Sequence, residues 1–231
     1  MTKVSATTHK RSSYSSESMA RRRTRVLEEA RALIAEAGYD GVTMRLLAER
    51  SEVASATLYN IYGNKETLVA TAVAELFEEQ LEEGAEYAQQ GEGGIEDALD
   101  SALRRLDWFA REIMRMPEYA RAMVIVFFSG SPESMVRDLL RNMSSASYRR
   151  LLEQLARHDG IAPWADINLL ADEMSHREFA VVHDWAIGRV PPEKLAGRQK
   201  YALLLTVGAV AVGSTLAAVH ARLEACQKSL A

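Results

Sequence analysis

TMRLLAERSEVASATLYNIYGNKETL, Thr43 to Leu68, sets two short apolar-periodic runs on either side of a turn. Thr43 is an N-cap residue type, and Met44, Leu47 and Ala48 recur at the three-and-four spacing of a helix with one buried side. That helix is predicted to end near Ser51. Ser51 and Glu52 turn the chain, Val53 supplies an apolar plug, and a second helix over about Ser55 to Tyr62 turns Leu58 and either Ile61 or Tyr62 inward. Two helices this short, joined this tightly, match a helix-turn-helix, whose second helix enters the DNA major groove. Its outer side offers Ser55, Thr57, Tyr59 and Asn60, short or planar hydrogen-bonding groups suited to base edges and phosphate oxygens. Beyond Gly63, Asn64 is placed to cap a third helix that opens with Lys65, so a cation and free backbone N–H groups meet where a phosphate can lie.

The run Val53 to Leu68, VASATLYNIYGNKETL, resembles the signature of the tetracycline-repressor (TetR) family of one-component regulators, roughly V-S-x-G-T-L-Y-x-x-F-x-S/N-K-E-x-L. The similarity covers about Arg21 to Leu76. It implies that Thr43 anchors a phosphate, that Thr57, Tyr59 and Asn60 face DNA, that Tyr62 packs, and that Lys65 holds the backbone. Arg22, Arg23, Arg45 and Ser55 complete the expected DNA-binding set. Three positions depart from the pattern. Glu52 stands for the usual turn glycine, Ala54 for the usual serine cap and Ala56 for a usual glycine. Ser55 can take over the cap, which leaves the start of the recognition helix open by a residue.

A chain of 231 residues is long enough for one small domain and one larger one, and too long for a bare helix-turn-helix. Ala, Leu, Glu and Arg dominate while Gly and Pro gather between periodic segments, a composition that favours an all-α fold. The lone Cys226 excludes an internal disulfide and a cysteine metal cage, and points to a reducing compartment. No basic-then-apolar leader is visible, so a cytoplasmic location is expected. Net charge is −4 in total but +4 over residues 1–65 and −8 over the rest. A basic first module on an acidic body suits contact with a polyanion, although an excess this small also fits an ordinary solvated surface.

Residues 1–18, rich in Ser and Thr and without an apolar period, read as a disordered arm. From Ser18 a helix is predicted, with Arg21, Arg22, Arg23 and Arg25 early and a stripe of Val26, Ala30, Leu33, Ile34 and Ala37, ended by Gly38. The arginines sit at the wrong end for the helix dipole, so phosphate or minor-groove contact is the favoured reading over a solvated face. Residues 19–66 then form the DNA-binding domain and 67–231 a helical ligand-binding and dimerisation domain. Within the latter, helices are predicted over about 95–116, 118–129, 133–158, 165–187 and 197–226. The second of these is apolar nearly all round and is expected to be central.

Ala202 to Val219 is an eighteen-residue stretch without charge, the minimum length of a membrane span. Its many small residues and missing aromatic belt instead suit close backbone approach in a buried or dimeric interface. The resemblance implies dimerisation through the last two long helices, about 165–187 and 197–226, with no membrane partner.

No phosphate loop, zinc spacing or nucleophile elbow occurs, and no enzyme, metal or cofactor is expected. The rival is a helical metal or cofactor enzyme using Glu173, His176 and His183, near one face of the penultimate long helix, where Glu-x-x-His is a di-iron spacing. A second such pair is lacking. The other readings of these residues are interface or core histidines, or polar contacts to an effector. The resemblance implies a mostly apolar effector pocket in the larger domain, and helical phase selects Trp108, Met123, Phe127, Tyr148, His176 and Phe179 for it. The expectation is therefore an all-α protein with an N-terminal three-helix helix-turn-helix domain and a larger C-terminal effector-binding and dimerisation domain. It would be a regulator, a repressor in the family's usual mode, released from a palindromic DNA operator by a small molecule.

Overall fold

The computed structural model describes the backbone of residues 7–88, 94–128 and 135–231, and the side chains among them outside 7–18 and 78–88. Among the described residues there are helices and one isolated bridge, with no strand. In chain order these are α1 Thr7–Gly41, α2 Met44–Ser51, α3 Ser55–Tyr62, α4 Lys65–Ala88, α5 Ile95–Arg115 and α6 Pro117–Phe127. There follow α7 Met135–Arg157, α8 Ile167–Ala186, a 3-10 turn Pro192–Lys194, α9 Leu195–Gly208 and α10 Gly213–Leu230.

α1 buries Val26, Leu27, Ala30, Leu33 and Ile34, each at most 3% exposed, along one stripe, while Ala37 stays outside. Gly38 then takes φ 70 and ψ 177, which a side chain rarely tolerates, and the chain turns toward α2. The helix starts at Thr7 rather than near Ser18. Of the segment read as a disordered arm, residues 1–6 lie outside those described and the remainder continues α1, since no Gly or Pro interrupts it before Gly38.

One hydrophobic cluster joins this stripe to Leu47, Leu58, Tyr62, Leu68 and Val73, and runs on into Tyr119, Met123, Val124 and Phe127 of α6 and Phe179, Val182 and Trp185 of α8. α6 is the central helix the sequence predicted, opened by Pro117 in its first turn, where a missing N–H leaves nothing unbonded. It lies against α1, α7 and α8. A second cluster gathers Leu99 and Leu106 of α5, Leu151, Leu152 and Leu155 of α7, Met174 of α8, Leu203 and Val207 of α9, and Val219 of α10. Lys200 to Asp107 at 2.6 Å, and Arg222 to Asp100 and Glu96, tie α9 and α10 to α5.

The single helix expected over 197–226 is two. α9 ends at Gly208 and α10 begins at Gly213, with a turn at Ala209 and Val210 leading into Ala211 and Val212, which lie against the loop before α8. Ala162 N–H donates to the Val210 carbonyl at 2.8 Å and Val212 N–H to the Gly160 carbonyl at 3.0 Å, around an antiparallel bridge of Ile161 and Ala211. The uncharged stretch is thus folded in two. Among the described residues no helix is long and apolar enough to cross a membrane.

Candidate nucleic-acid interface and effector cleft

α2 and α3 match the predicted bounds, and their packing decides which side chains face outward. Thr43 caps α2 by accepting the Leu46 N–H at 3.2 Å, which leaves its hydroxyl proton free to donate. Glu52, left-handed at φ 54, closes α2 through its N–H to the carbonyls of Ala48 and Glu49. Ala54 is the N-cap of α3 and makes no side-chain cap bond. Ser55 is the first helical residue, so it does not take over the cap. Leu58 and Tyr62 turn inward, which settles the inward position in favour of Tyr62, and Ile61 stands 62% exposed.

Thr57, Tyr59, Asn60 and Ile61 therefore stand out from α3, with Ser55 half-buried at its start. Arg45 of α2 and Arg22 of α1 are exposed on neighbouring elements. Arg23 is paired with Glu75 of α4 and Arg25 with Glu52 at 3.1 Å, so part of the arginine cluster fastens the reader to itself. Lys65 Nζ donates to the Tyr39 carbonyl at 3.3 Å and lies 4.3 Å from the Tyr39 ring centre, a position that fixes its ammonium at the start of α4. Asn64 caps α4 as predicted, Oδ1 accepting the Thr67 N–H at 2.8 Å.

Arg50 braces the unit from within, bonding Glu29 at 2.8 Å and Glu36 at 2.5 Å. That guanidinium holds the Glu36 carboxyl below its ordinary range. Ile61 was the outward residue the sequence left undecided, and an apolar side chain there suits thymine methyls.

In the larger domain a narrow cleft, about 50 Å³, opens between α4, α5, α6 and α8. Leu76, Phe77, Phe109, Ile113, Met123 and Phe179 are among its walls. Of the predicted effector set it gathers Met123 and Phe179. Trp108, Phe127, Tyr148 and His176 are not among its lining residues. Phe127 instead stacks on Phe179 at 3.9 Å between ring centres, filling space rather than bounding it. Tyr148 sits in the second core cluster beneath Arg105, where burial and then the Glu178 carboxylate push its phenol well above its ordinary value. His176 is on the outer side of α8, edge-on to Phe128 at 5.6 Å, and His183 meets the same ring at 5.3 Å. Glu173 and His176 are open to solvent, and the described residues hold no group of three ligating side chains, so the metal-enzyme reading finds no support.

The residues that sequence reasoning passed over are Arg31 and Tyr119. Arg31 donates to the Ala72 carbonyl at 3.3 Å, bridging α1 to α4. Tyr119 is 5% exposed and its hydroxyl has no hydrogen-bond partner among the described residues.

A model of bacterial regulatory proteins, tetR family, matches residues 26–72. The chain is 28% identical over 195 residues to the HTH-type transcriptional repressor KstR of Mycolicibacterium smegmatis, covering 84% of this chain and 90% of that protein. To KstR of Rhodococcus jostii it is 40% identical over 75 residues, which are 32% of this chain and 35% of that one. The stretch aligned to that relative is therefore about a third of the relative's length. Among solved structures, the transcriptional regulator FadR of Bacillus subtilis in complex with stearoyl-CoA superposes with a TM-score of 0.64 at 17% identity, over 81% of this chain and 98% of that one. A TetR transcriptional regulator of Rhodococcus sp. RHA1 gives 0.58 at 22%, over 81% and 97%.

Proposed function

Because the chain belongs to the tetR family of bacterial regulatory proteins, we propose that it is a one-component transcriptional repressor. In this reading it is a homodimer that leaves a palindromic DNA operator when a small, mostly apolar molecule binds. The observation that carries the reading is the outward face of α3, where Thr57, Tyr59 and Asn60 project from a helix anchored by buried Leu58 and Tyr62. Thr43, Arg45 and Lys65 flank it as phosphate donors, and Arg22 extends the positive edge.

Dimerisation is assigned to α8 and α10. The exposed side of α8 carries Leu169 at 62%, with Ile187 at 51% just past its end, and that of α10 carries Ala217, Ala221 and Ala225, small enough for close helix approach. Pairing them positions two α3 helices, which must lie about 34 Å apart to enter successive major grooves.

Release follows from the size of the cleft. A cavity of about 50 Å³ is far below the roughly 300–1,000 Å³ of an ordinary ligand pocket. An effector must therefore prefer a state in which the walls stand apart, and that differential affinity shifts the population. Leu76 and Phe77 in the wall belong to α4, whose first residue is Lys65, so α4 links the cleft to the reader. Its N-terminal turn is also tied to α7, where Glu66 accepts the Met135 N–H at 3.1 Å.

The test is an anisotropy titration of a bound duplex at several salt concentrations. Tyr59→Ala is expected to weaken binding to all sequences alike, whereas Asn60→Ala relaxes sequence choice by about 1–3 kcal/mol at its base. Affinity and selectivity unchanged in both variants would overturn the assignment of α3 as the reader.

A further inference from the structure

Beside the cleft lies a second, wider depression of about 370 Å³, between α1 and the start of α6. Its walls are Glu28, Arg31, Ala32 and Ala35 of α1, and Met116, Pro117, Glu118 and Tyr119. Met116 and Tyr119 also line the cleft, so the two spaces share those walls. Both are lined mainly by apolar surface, the narrower with Glu112 in its wall and the wider with Glu28, Arg31 and Glu118.

Tyr119 stands between them. It is 5% exposed, and its hydroxyl is buried and unpartnered among the described residues. An unsatisfied buried hydroxyl is costly and calls for a partner. Burial pushes the phenol far above its ordinary pKa, and the Arg31 cation, the one charge acting on it, only partly offsets this. The group therefore remains a protonated donor.

We propose that the two spaces are one bipartite effector site, taking an amphiphile whose apolar body enters the α4–α5–α6–α8 cleft and whose neutral hydrogen-bond-accepting oxygen meets the Tyr119 hydroxyl in the α1–α6 groove. This rests on the effector reading above and names the ligand class. The head is neutral because the groove walls carry two acids, Glu28 and Glu118, the latter paired with Arg121 at 3.5 Å, and one cation, Arg31, which already donates to the Ala72 carbonyl at 3.3 Å. A carboxylate head would face two acids. A carbonyl or ether oxygen meets the donor without that repulsion. The head also touches α1 directly, so occupancy bears on the helix that carries the reader as well as on α4.

The test is equilibrium dialysis of the full chain against three probes of equal length, 2-decanone, decane and decanoate. Wild type is expected to bind 2-decanone more tightly than either of the others. Tyr119→Phe is expected to weaken 2-decanone about three- to tenfold, the effect of one neutral hydrogen bond, and to leave decane unchanged. Ala32→Leu, which narrows the groove from α1 without touching the cleft, is expected to do the same, and it carries the test if Tyr119→Phe fails to fold by circular dichroism. The infrared band of a carbon-13 carbonyl in bound 2-decanone is expected at a hydrogen-bonded frequency in wild type and a free one in Tyr119→Phe. Equal 2-decanone affinity in wild type and variants, tighter binding of decanoate, or no binding of any probe overturns the proposal. Duplex binding by the same preparations without probe separates that result from a failure of the repressor reading.

Discussion

Glu52 and Ala54 sit two residues apart in the turn of the reader, each in a backbone setting that suits another residue type. Glu52 holds φ 54 and ψ 38, where a side chain is strained. Its exposed contact with Arg25 recovers little of that. Ala54 caps α3 without an oxygen to offer. Glu52→Gly and Ala54→Ser are each expected to stabilise the protein by about 0.5–1 kcal/mol, read as a rise in urea midpoint at unchanged slope. A lower midpoint for either would contradict the local geometry. These positions were legible because Glu52, Ala54 and Ala56 stand out against the pattern that Val53 to Leu68 resembles. What the sequence could not decide, Ile61 or Tyr62 inward, turns on how α3 is seated against α1 and α4, which no local signal encodes.

Among the elements, α2 and α3 were readable to the residue because a cap, a turn and an apolar stripe agree on each boundary. The last helix was not. Ala202 to Val219 has helical composition throughout, and its interruption at Val210–Val212 comes from a tertiary partner, the Gly160–Ala162 segment some fifty residues earlier. Gly160 makes room beside this contact for the Thr215 side chain at the start of α10. A Cβ there would stand 2.3 Å from Thr215 Oγ1 and 3.0 Å from the Leu155 carbonyl oxygen. Gly160→Ala is therefore expected to destabilise by about 1–3 kcal/mol, the usual range for overpacking, measured by urea unfolding. Unchanged stability would mean that the α9–α10 break is not held by this contact. The effector set was only partly legible for a related reason. Met123 and Phe179 reach the cleft, but helical phase alone could not tell a wall from Phe127, which the neighbouring ring covers, or from Tyr148, which the second cluster buries.

At the scale of the whole molecule, reader and body share a core. Val26 and Leu58 belong to the same hydrophobic cluster as Tyr119 and Phe179, so α1, α4 and α6 cannot rearrange independently. A ligand that parts α4 from α5 and α6 must therefore disturb the seat of α3, and charge favours the arrangement, with +4 on residues 1–65 facing the polyanion and −8 on the remainder. The central claim is that two copies of the chain present α3 to successive major grooves of one duplex. Selection of bound duplexes from a random pool by the full chain at low ionic strength tests it most directly. The expected result is enrichment of an inverted repeat whose half-site centres lie about 10 base pairs, or a multiple of that, apart. A pool that shows no enriched sequence, or one enriched for single half-sites without a symmetric mate, would contradict the account.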